Sequence, residues 1–128
     1  MNTVCLTLAV LDNLYAVCRL APEAEIPNWL PTTGFVSVTR TAEELSVVCR
    51  SDAVPDTLEA ERDFQVLKIE GPLDFSLTGI LLSVAGPLAD AGISIFALST
   101  FDTDYVLVRN KDLGNAVSVL EAAGHTIR

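Results

Sequence analysis

The chain has 128 residues, which is enough for one ordinary domain or two very small ones. Half of the residues are hydrophobic and 20% are charged, a composition that predicts a well-filled core. The net charge of −9 argues against a nucleic-acid partner, because phosphates are bound by clustered basic residues.

The N-terminal segment TVCLTLAVL predicts a first strand rather than a leader. It has no basic residues before its apolar run, and that run ends at Asp12. No apolar run in the chain approaches the length of a membrane-spanning helix. We therefore expect a cytoplasmic protein with no membrane partner.

The rest of the first half predicts strands with little helix. LYAVCRL is a second strand, and FVSVTRTAEELSVVC predicts two strands around a polar turn. Three prolines in APEAEIPNWLP exclude a long helix there, and Pro55 interrupts SDAVPDTLEAER. This half resembles a degenerate, helix-poor copy of the second half, offset by about 58 residues between Gly34 and Gly92.

The second half predicts the order β-α-β-β-α-β. FQVLKIEG is a strand, and TGILLSVAGPLADAG has apolar residues at helical spacing, with Gly92 ending the helix and Pro87 removing a backbone bond to residue 83. ISIFALS and YVLVR form a hairpin. A second helix, capped by Asn110 and ended by Gly124, precedes the last strand, HTIR. The fold class is therefore α+β, with two ferredoxin-like units at 1–62 and 63–128, each an antiparallel sheet with helices on one face.

The reactive residue types form no recognisable catalytic or metal site. Cys5, Cys18 and Cys49 lie far apart in sequence and are expected to be buried, reduced thiols. His125 is the only histidine, and no nucleophile stands beside it. We therefore expect no catalytic residues, no metal and no cofactor, and predict that the protein is not an enzyme.

The loop PLDFSLTG leads into the first helix of the second half. A helix N-terminus has unpaired N–H groups and a partial positive charge, which suit a carboxylate or phosphate. Gly79 would let a ligand approach the backbone. The alternative is ordinary N-capping by Ser76 or Thr78.

The segment STFDTDY, at the tip of the hairpin, carries more polar chemistry than a turn requires. Asp102 is interpreted as a solvated turn residue. Asp104 begins a buried strand, so its carboxylate faces solvent or a cation. Thr100 and Phe101 add a hydroxyl and an apolar wall. Together with the helix start, this carboxylate matches a zwitterion such as a free amino acid.

The stretch EGPLDFSLTGILLSVAGPLADAGISIFALSTFDTDYVLVRNKDLGNAVSVLEAAGH resembles the C-terminal unit of small bacterial proteins with tandem ACT domains. It is also similar to the ACT pairs of the CASTOR-type arginine sensors. The resemblance runs through most of residues 64–125. Its specific part is LDFSLTG, GIS and STFDTDY in that order, and FVSVTRTAEELSVVC fits the degenerate N-terminal ACT unit.

The resemblance implies an allosteric, ligand-binding regulatory module that binds an amino acid at an interface between units or subunits. It also implies a homodimer, since the sensors carry two ACT pairs in one chain. A regulated protein partner would be of unknown identity. The ligand-binding residues that it implies are Ser76, Leu77, Thr78 and Gly79 at the carboxylate end and Thr100, Phe101 and Asp104 at the side-chain end.

Two other functions are compatible with the sequence. A ligand-free protein–protein interaction domain could use the exposed edges of a ferredoxin-like sheet. A ferredoxin-like isomerase or monooxygenase is the enzymatic alternative, and it lacks an assigned acid, base or nucleophile.

Overall fold

The computed structural model describes residues 4–71, 73–74 and 78–128. The strands are β1 (Thr7–Val10), β2 (Tyr15–Leu20), β3 (Ser37–Arg40), β4 (Leu45–Arg50), β5 (Ala60–Ile69), β6 (Ile95–Ser99), β7 (Asp104–Arg109) and β8 (Thr126–Ile127). The α-helices are α1 (Ile80–Asp90) and α2 (Leu113–Ala122). Single 3-10 turns lie at Ser51–Ala53 and Asn110–Asp112. Neither α-helix in the described residues has both the length and the apolar character needed to cross a bilayer.

The chain forms two compact units, residues 13–64 and residues 1–12 with 65–128. The sequence repeat predicts a boundary between residues 62 and 63. The two compact units are defined by packing, which does not test a repeat boundary, so that boundary stays a prediction. Strand β5 contributes its first residues to the smaller unit and its last residues to the larger one.

The smaller unit contains strands and no α-helix, as its prolines predict. Strand β4 pairs antiparallel with both β2 and β3, and β2 also pairs with the start of β5. One face of these strands buries a core of Ala16, Cys18, Leu45, Val47, Cys49 and Val54. The irregular segment 21–36 packs Ala24, Trp29, Leu30 and Val36 against this core. The unit is therefore the helix-poor counterpart of the larger one.

The larger unit is a ferredoxin-like α+β unit with one additional strand. Its strands lie in the order β6-β7-β5-β1-β8. Strand β1 pairs antiparallel with β5 and parallel with β8, with Leu8 opposite Ile69 and Ile127. The sequence predicts β1 as a strand but not its insertion beside the last strand.

Both α-helices pack on one core of the larger unit, as predicted. That core joins Val84 and Leu88 of α1 to Ala116 and Leu120 of α2, against Leu8, Leu67, Ile69, Ile93, Val106 and Val108. The apolar spacing of each helix therefore identified most of its buried face, although Ala91, which the spacing places on that face after α1, is exposed.

Candidate functional site

The β6–β7 hairpin ends in a tightly bonded tip. Ser99 lies opposite Asp104, and its hydroxyl donates a 2.6 Å hydrogen bond to Oδ1 of that aspartate. Beyond this pair, the Thr100 amide donates to the Thr103 carbonyl oxygen at 2.8 Å, and the Thr100 hydroxyl lies 3.1 Å from the same oxygen. The hydroxyls of the tip therefore fix its backbone.

The tip is also fastened to the segment that follows β5. Thr103 is buried, and its hydroxyl donates a 2.6 Å hydrogen bond to the carbonyl oxygen of Ile69, the last residue of β5. The Leu73 amide donates to the Asp102 carbonyl oxygen at 2.8 Å. These two bonds hold the hairpin tip against the loop that leads to α1.

Gly71 lets the loop and the tip approach this closely. A Cβ atom at this position would stand 3.3 Å from both the Asp102 carbonyl oxygen and Cβ of Thr103, and 3.0 Å from the Leu73 amide nitrogen. Real Cβ atoms rarely have such short contacts, so a larger residue would displace one of the two segments.

The loop, the tip and the start of α1 enclose an open cleft of about 200 Å³. Its lining residues are Leu73, Asp74, Ile80, Ser99, Thr100, Phe101, Asp102, Thr103 and Asp104. Three of these described residues are aspartates and none is basic, so the cleft presents negative charge beside an apolar wall. Such a surface suits a ligand with a cationic end.

The cleft unites one half of the predicted site. Thr100, Phe101 and Asp104 all line it, and the Phe101 side chain, 85% exposed, stands at the end of the hairpin. Asp102, predicted as a turn residue only, lines it as well.

The other half of the predicted site lies elsewhere or outside the described residues. Thr78 and Gly79 border a separate depression of about 550 Å³, with Leu82, Pro87 and His125 among its other lining residues. The predicted residues Ser76 and Leu77 lie outside the described part of the chain.

Six lining residues were not among the predicted site residues. Leu73 and Asp74 belong to the loop, Ile80 begins α1, and Ser99, Asp102 and Thr103 belong to the hairpin. Ser99 could have been predicted from its position opposite Asp104, because the residue just before a hairpin tip faces the residue just after it. The roles of Leu73 and Thr103 depend on bonds between segments about 30 residues apart in sequence, and nothing in the local pattern indicates them.

Helix α1 begins without a side-chain cap at its first position. Its N-cap is Gly79, with φ 76°, in the left-handed region that glycine adopts most readily. Thr78 is therefore not the N-cap residue, contrary to the capping alternative. Ile80, the first helical residue, lines the cleft, so the N-terminus of α1 borders it.

Asn110 does not cap the second helix, contrary to prediction. It opens a 3-10 turn, the N-cap of α2 is Asp112, and no side chain makes a cap bond there. The Asn110 side-chain oxygen instead accepts a 2.9 Å hydrogen bond from Gln65.

His125 has a structural role that follows from Pro87. Proline at position 87 has no N–H, which leaves the Ser83 carbonyl oxygen of α1 without its helical donor. Nε2 of the buried His125 lies 2.8 Å from this oxygen, while Nδ1 accepts a 3.1 Å bond from the Leu6 amide. Since Nδ1 accepts, Nε2 carries the proton and donates. The ring therefore joins α1 to the segment before β1.

The cysteines are free, as predicted, but only two of them are buried. Cys18 and Cys49 lie in the core of the smaller unit, while Cys5 is exposed. In the described residues, no group of three or more His, Cys, Asp or Glu side chains could hold a metal ion.

Family models match both halves of the chain. The model of the ACT domain matches residues 59–122, and a model of an N-terminal domain matches residues 13–57. A crystal structure of a protein from Agobacterium tumefaciens is 42% identical, with a TM-score of 0.92 over 98% of this chain and 93% of that chain.

The chain is also similar to proteins with regulatory or sensor names. The regulatory subunit of aspartate kinase from Thermus thermophilus has the same fold, with a TM-score of 0.59 at 10% identity over 91% of this chain and 95% of that chain. The "cytosolic arginine sensor for mTORC1 subunit 1" of Homo sapiens is 35% identical over 89 residues, or 69% of this chain and 26% of the sensor. The chain thus spans about a quarter of that relative's length.

Proposed function

The chain belongs to the ACT-domain family, and we propose that it is a regulatory module that binds a free amino acid in the cleft beside the β6–β7 hairpin. The observation that carries this proposal is the fastening of the hairpin tip to the loop after β5. The Thr103–Ile69 and Leu73–Asp102 bonds fix the two segments that border an acidic, partly apolar cleft. A preformed site loses less entropy on binding than one that must be ordered.

The charges of the cleft favour one orientation of the ligand. Asp74, Asp102 and Asp104 would attract its ammonium or guanidinium group. The α-carboxylate would then point toward the N-terminus of α1, near Ile80, where helical N–H groups lack internal partners. Phe101 and Leu73 would cover the aliphatic part. The predicted contacts of Ser76, Leu77, Thr78 and Gly79 with the carboxylate end remain part of this proposal.

An amino acid with a basic side chain is the ligand that we favour. It brings two cationic groups to a cleft with three carboxylates, whereas a neutral amino acid brings one. Relatives of this chain are named as arginine sensors, which agrees with this choice.

We further propose that the chain acts as a cytoplasmic homodimer and is not an enzyme. The resemblance implies that the arginine sensors carry two ACT pairs in one chain, so two copies of this chain would supply the same number of ACT units. The name of the matched sensor places that relative in the cytosol, and both the sensor and the aspartate kinase subunit are named for sensing or regulation rather than catalysis.

A ligand-free protein–protein interaction domain is the second candidate. The observation that favours it is the exposure of Phe101 (85%) and Leu82 (71%), two large apolar side chains. In addition, β6 has β7 as its one partner strand in the described residues, so its other edge could receive a strand of another protein.

A thermal-shift screen against the twenty amino acids at millimolar concentration distinguishes the two candidates. A ligand at 100 times its Kd stabilises the folded state by about 2.7 kcal/mol, which is readily detected. A selective increase in Tm would support amino-acid binding and identify the ligand. No shift with any of the twenty, together with isolation of one stable protein partner, would support the interaction domain.

A further inference from the structure

The smaller unit contains two cysteines that are diagonal neighbours on one face of its sheet. In the antiparallel β2–β4 pair, Cys18 lies opposite Val47 and Cys49 lies opposite Ala16. All four side chains are buried in the same core. Residues two positions apart in register on one face are still within reach of each other. The strand register therefore places the two cysteine side chains on one face, one diagonal step apart.

The two thiols differ in their readiness to lose a proton. A side-chain hydrogen bond with Cys49 lowers the pKa of the Cys18 thiol, against the opposing effect of burial. The Arg62 guanidinium lowers it further. The same hydrogen bond, with burial, raises the pKa of Cys49, whose thiol also lies 3.6 Å from the Arg50 carbonyl oxygen. Cys18 is therefore the thiol of the pair that forms a nucleophilic thiolate more readily.

An irregular segment covers the core that contains the pair. The segment 21–36 packs Trp29, Leu30 and Val36 on the core that contains both cysteines, and no helix or strand lies within it. The Arg40 guanidinium holds it by donating to the carbonyl oxygens of Pro22 and Ala24. Segments with few internal backbone bonds open more readily than the strands beneath them.

We propose that Cys18 and Cys49 form a reversible intramolecular disulfide when a peroxide reaches them, making the smaller unit sensitive to oxidation. The Cys18 thiolate attacks a peroxide oxygen, the O–O bond breaks, and Cys18 becomes a sulfenic acid. The Cys49 sulfur then attacks the Cys18 sulfur, the S–S bond forms, and the S–O bond breaks. The leaving hydroxide takes the Cys49 proton as water. The two sulfurs supply the two electrons that reduce hydrogen peroxide to two molecules of water.

The register also predicts that this disulfide is easily reduced. Diagonal neighbours in a sheet stand about 7–8 Å apart. Ordinary disulfides join Cα atoms at about 4.4–6.8 Å, so closing this bond draws β2 and β4 together. Strained disulfides have more oxidising potentials and are the labile, regulatory ones.

The test uses the full chain with Cys5→Ser, which removes the exposed thiol and leaves the pair. After treatment with hydrogen peroxide, we expect no free thiol in the denatured monomer and an intact mass lower by two hydrogen atoms. Peptide mapping without reductant should link residue 18 to residue 49, and dithiothreitol should restore both thiols.

A matched variant, Cys5→Ser with Cys49→Ser, should instead stop at a sulfenic acid on Cys18 that dimedone captures. The proposal is overturned if the Cys5→Ser chain keeps both thiols under conditions that oxidise Cys5 in the wild type. Oxidation of either sulfur to sulfinic acid without a link, or a disulfide-linked dimer in place of the internal bond, would overturn it equally.

Discussion

The hydroxyl of Thr103 donates a 2.6 Å hydrogen bond to the carbonyl oxygen of Ile69, 34 positions earlier in the chain. Thr103 is 4% exposed, so this bond lies in a region from which water is excluded. It joins the tip of one hairpin to the end of the central strand β5. The cleft that we assign to the ligand therefore depends on a residue that need not contact the ligand itself.

Replacing Thr103 by valine should destabilise the protein by about 1–3 kcal/mol, because the buried carbonyl oxygen of Ile69 loses its donor while the side-chain shape is kept. Thr103→Ser, which keeps the hydroxyl, is the matched control and should cost less. Urea denaturation measures both. A Thr103→Val chain as stable as the wild type would show that this bond contributes nothing to the fold.

Gly71→Ala should loosen the contact between the loop and the hairpin tip. Its Cβ would stand 3.0 Å from the Leu73 amide nitrogen, and we expect a loss of about 1–3 kcal/mol from the resulting displacement. Gly114→Ala is the control, because α2 leaves open space around that position. It should stabilise the helix by about 0.5–1 kcal/mol. Equal effects of the two substitutions on Tm would refute the close approach at Gly71.

Asp104→Asn should remove ligand binding with little effect on folding. The carboxylate is at the surface of the cleft, where its bond to the Ser99 hydroxyl is exposed, so we expect the free energy of unfolding to change by less than about 1 kcal/mol. Asp90→Asn, an exposed acid at the end of α1, is matched in charge and should bind normally. Isothermal titration calorimetry with the amino acid found in the screen compares the three chains. Equal affinity of all three would exclude Asp104 from the site.

The bond between His125 and Ser83 can be tested by a double-mutant cycle. His125→Ala leaves the Leu6 amide and the Ser83 carbonyl without partners and should cost roughly 2–4 kcal/mol. Pro87→Ala returns an N–H to α1 that can bond the Ser83 oxygen. In that background the cost of His125→Ala should fall by about 1 kcal/mol. Strict additivity of the two changes in denaturation free energy would contradict the link between His125 and Pro87.

The elements of the larger unit were predictable because each has a local signal. The apolar spacing of α1 and α2, the ending glycines Gly92 and Gly124, and the apolar runs of β6 and β7 all indicated what the structure contains. The order of these elements gave the ferredoxin-like topology, and the three prolines of residues 22–31 accounted for the missing helix of the smaller unit.

The features that could not be predicted from the sequence depend on contacts between residues that are far apart along the chain. The insertion of β1 beside β8 follows from pairing between residues 7–8 and residues 126–127, and no local pattern specifies it. Asn110 has the residue type of a helix cap, yet Gln65, 45 positions away, takes its side-chain oxygen. Nothing in the sequence around His125 indicates its bond to Ser83, which lies 42 positions earlier in the chain.

Some residues of the candidate site likewise have a local signal in the sequence, and others do not. The residue types of STFDTDY and the family resemblance together predicted Thr100, Phe101 and Asp104 as site residues. All three line the cleft, and their contact with a ligand stays a prediction. The loop residues Leu73 and Asp74 enter the cleft through the bonds that fasten the hairpin tip, which only the folded chain reveals.

The most direct test of amino-acid binding in this cleft is a two-dimensional amide NMR titration of the ¹⁵N-labelled 13.7 kDa chain with each of the basic amino acids. We predict that one of them shifts the resonances of residues 73–74 and 99–104 in a saturable way, while residues around Leu82 and Ala123 change little. Saturable shifts centred on Leu82 and Ala123, with the hairpin unchanged, would place the ligand elsewhere and contradict binding in this cleft.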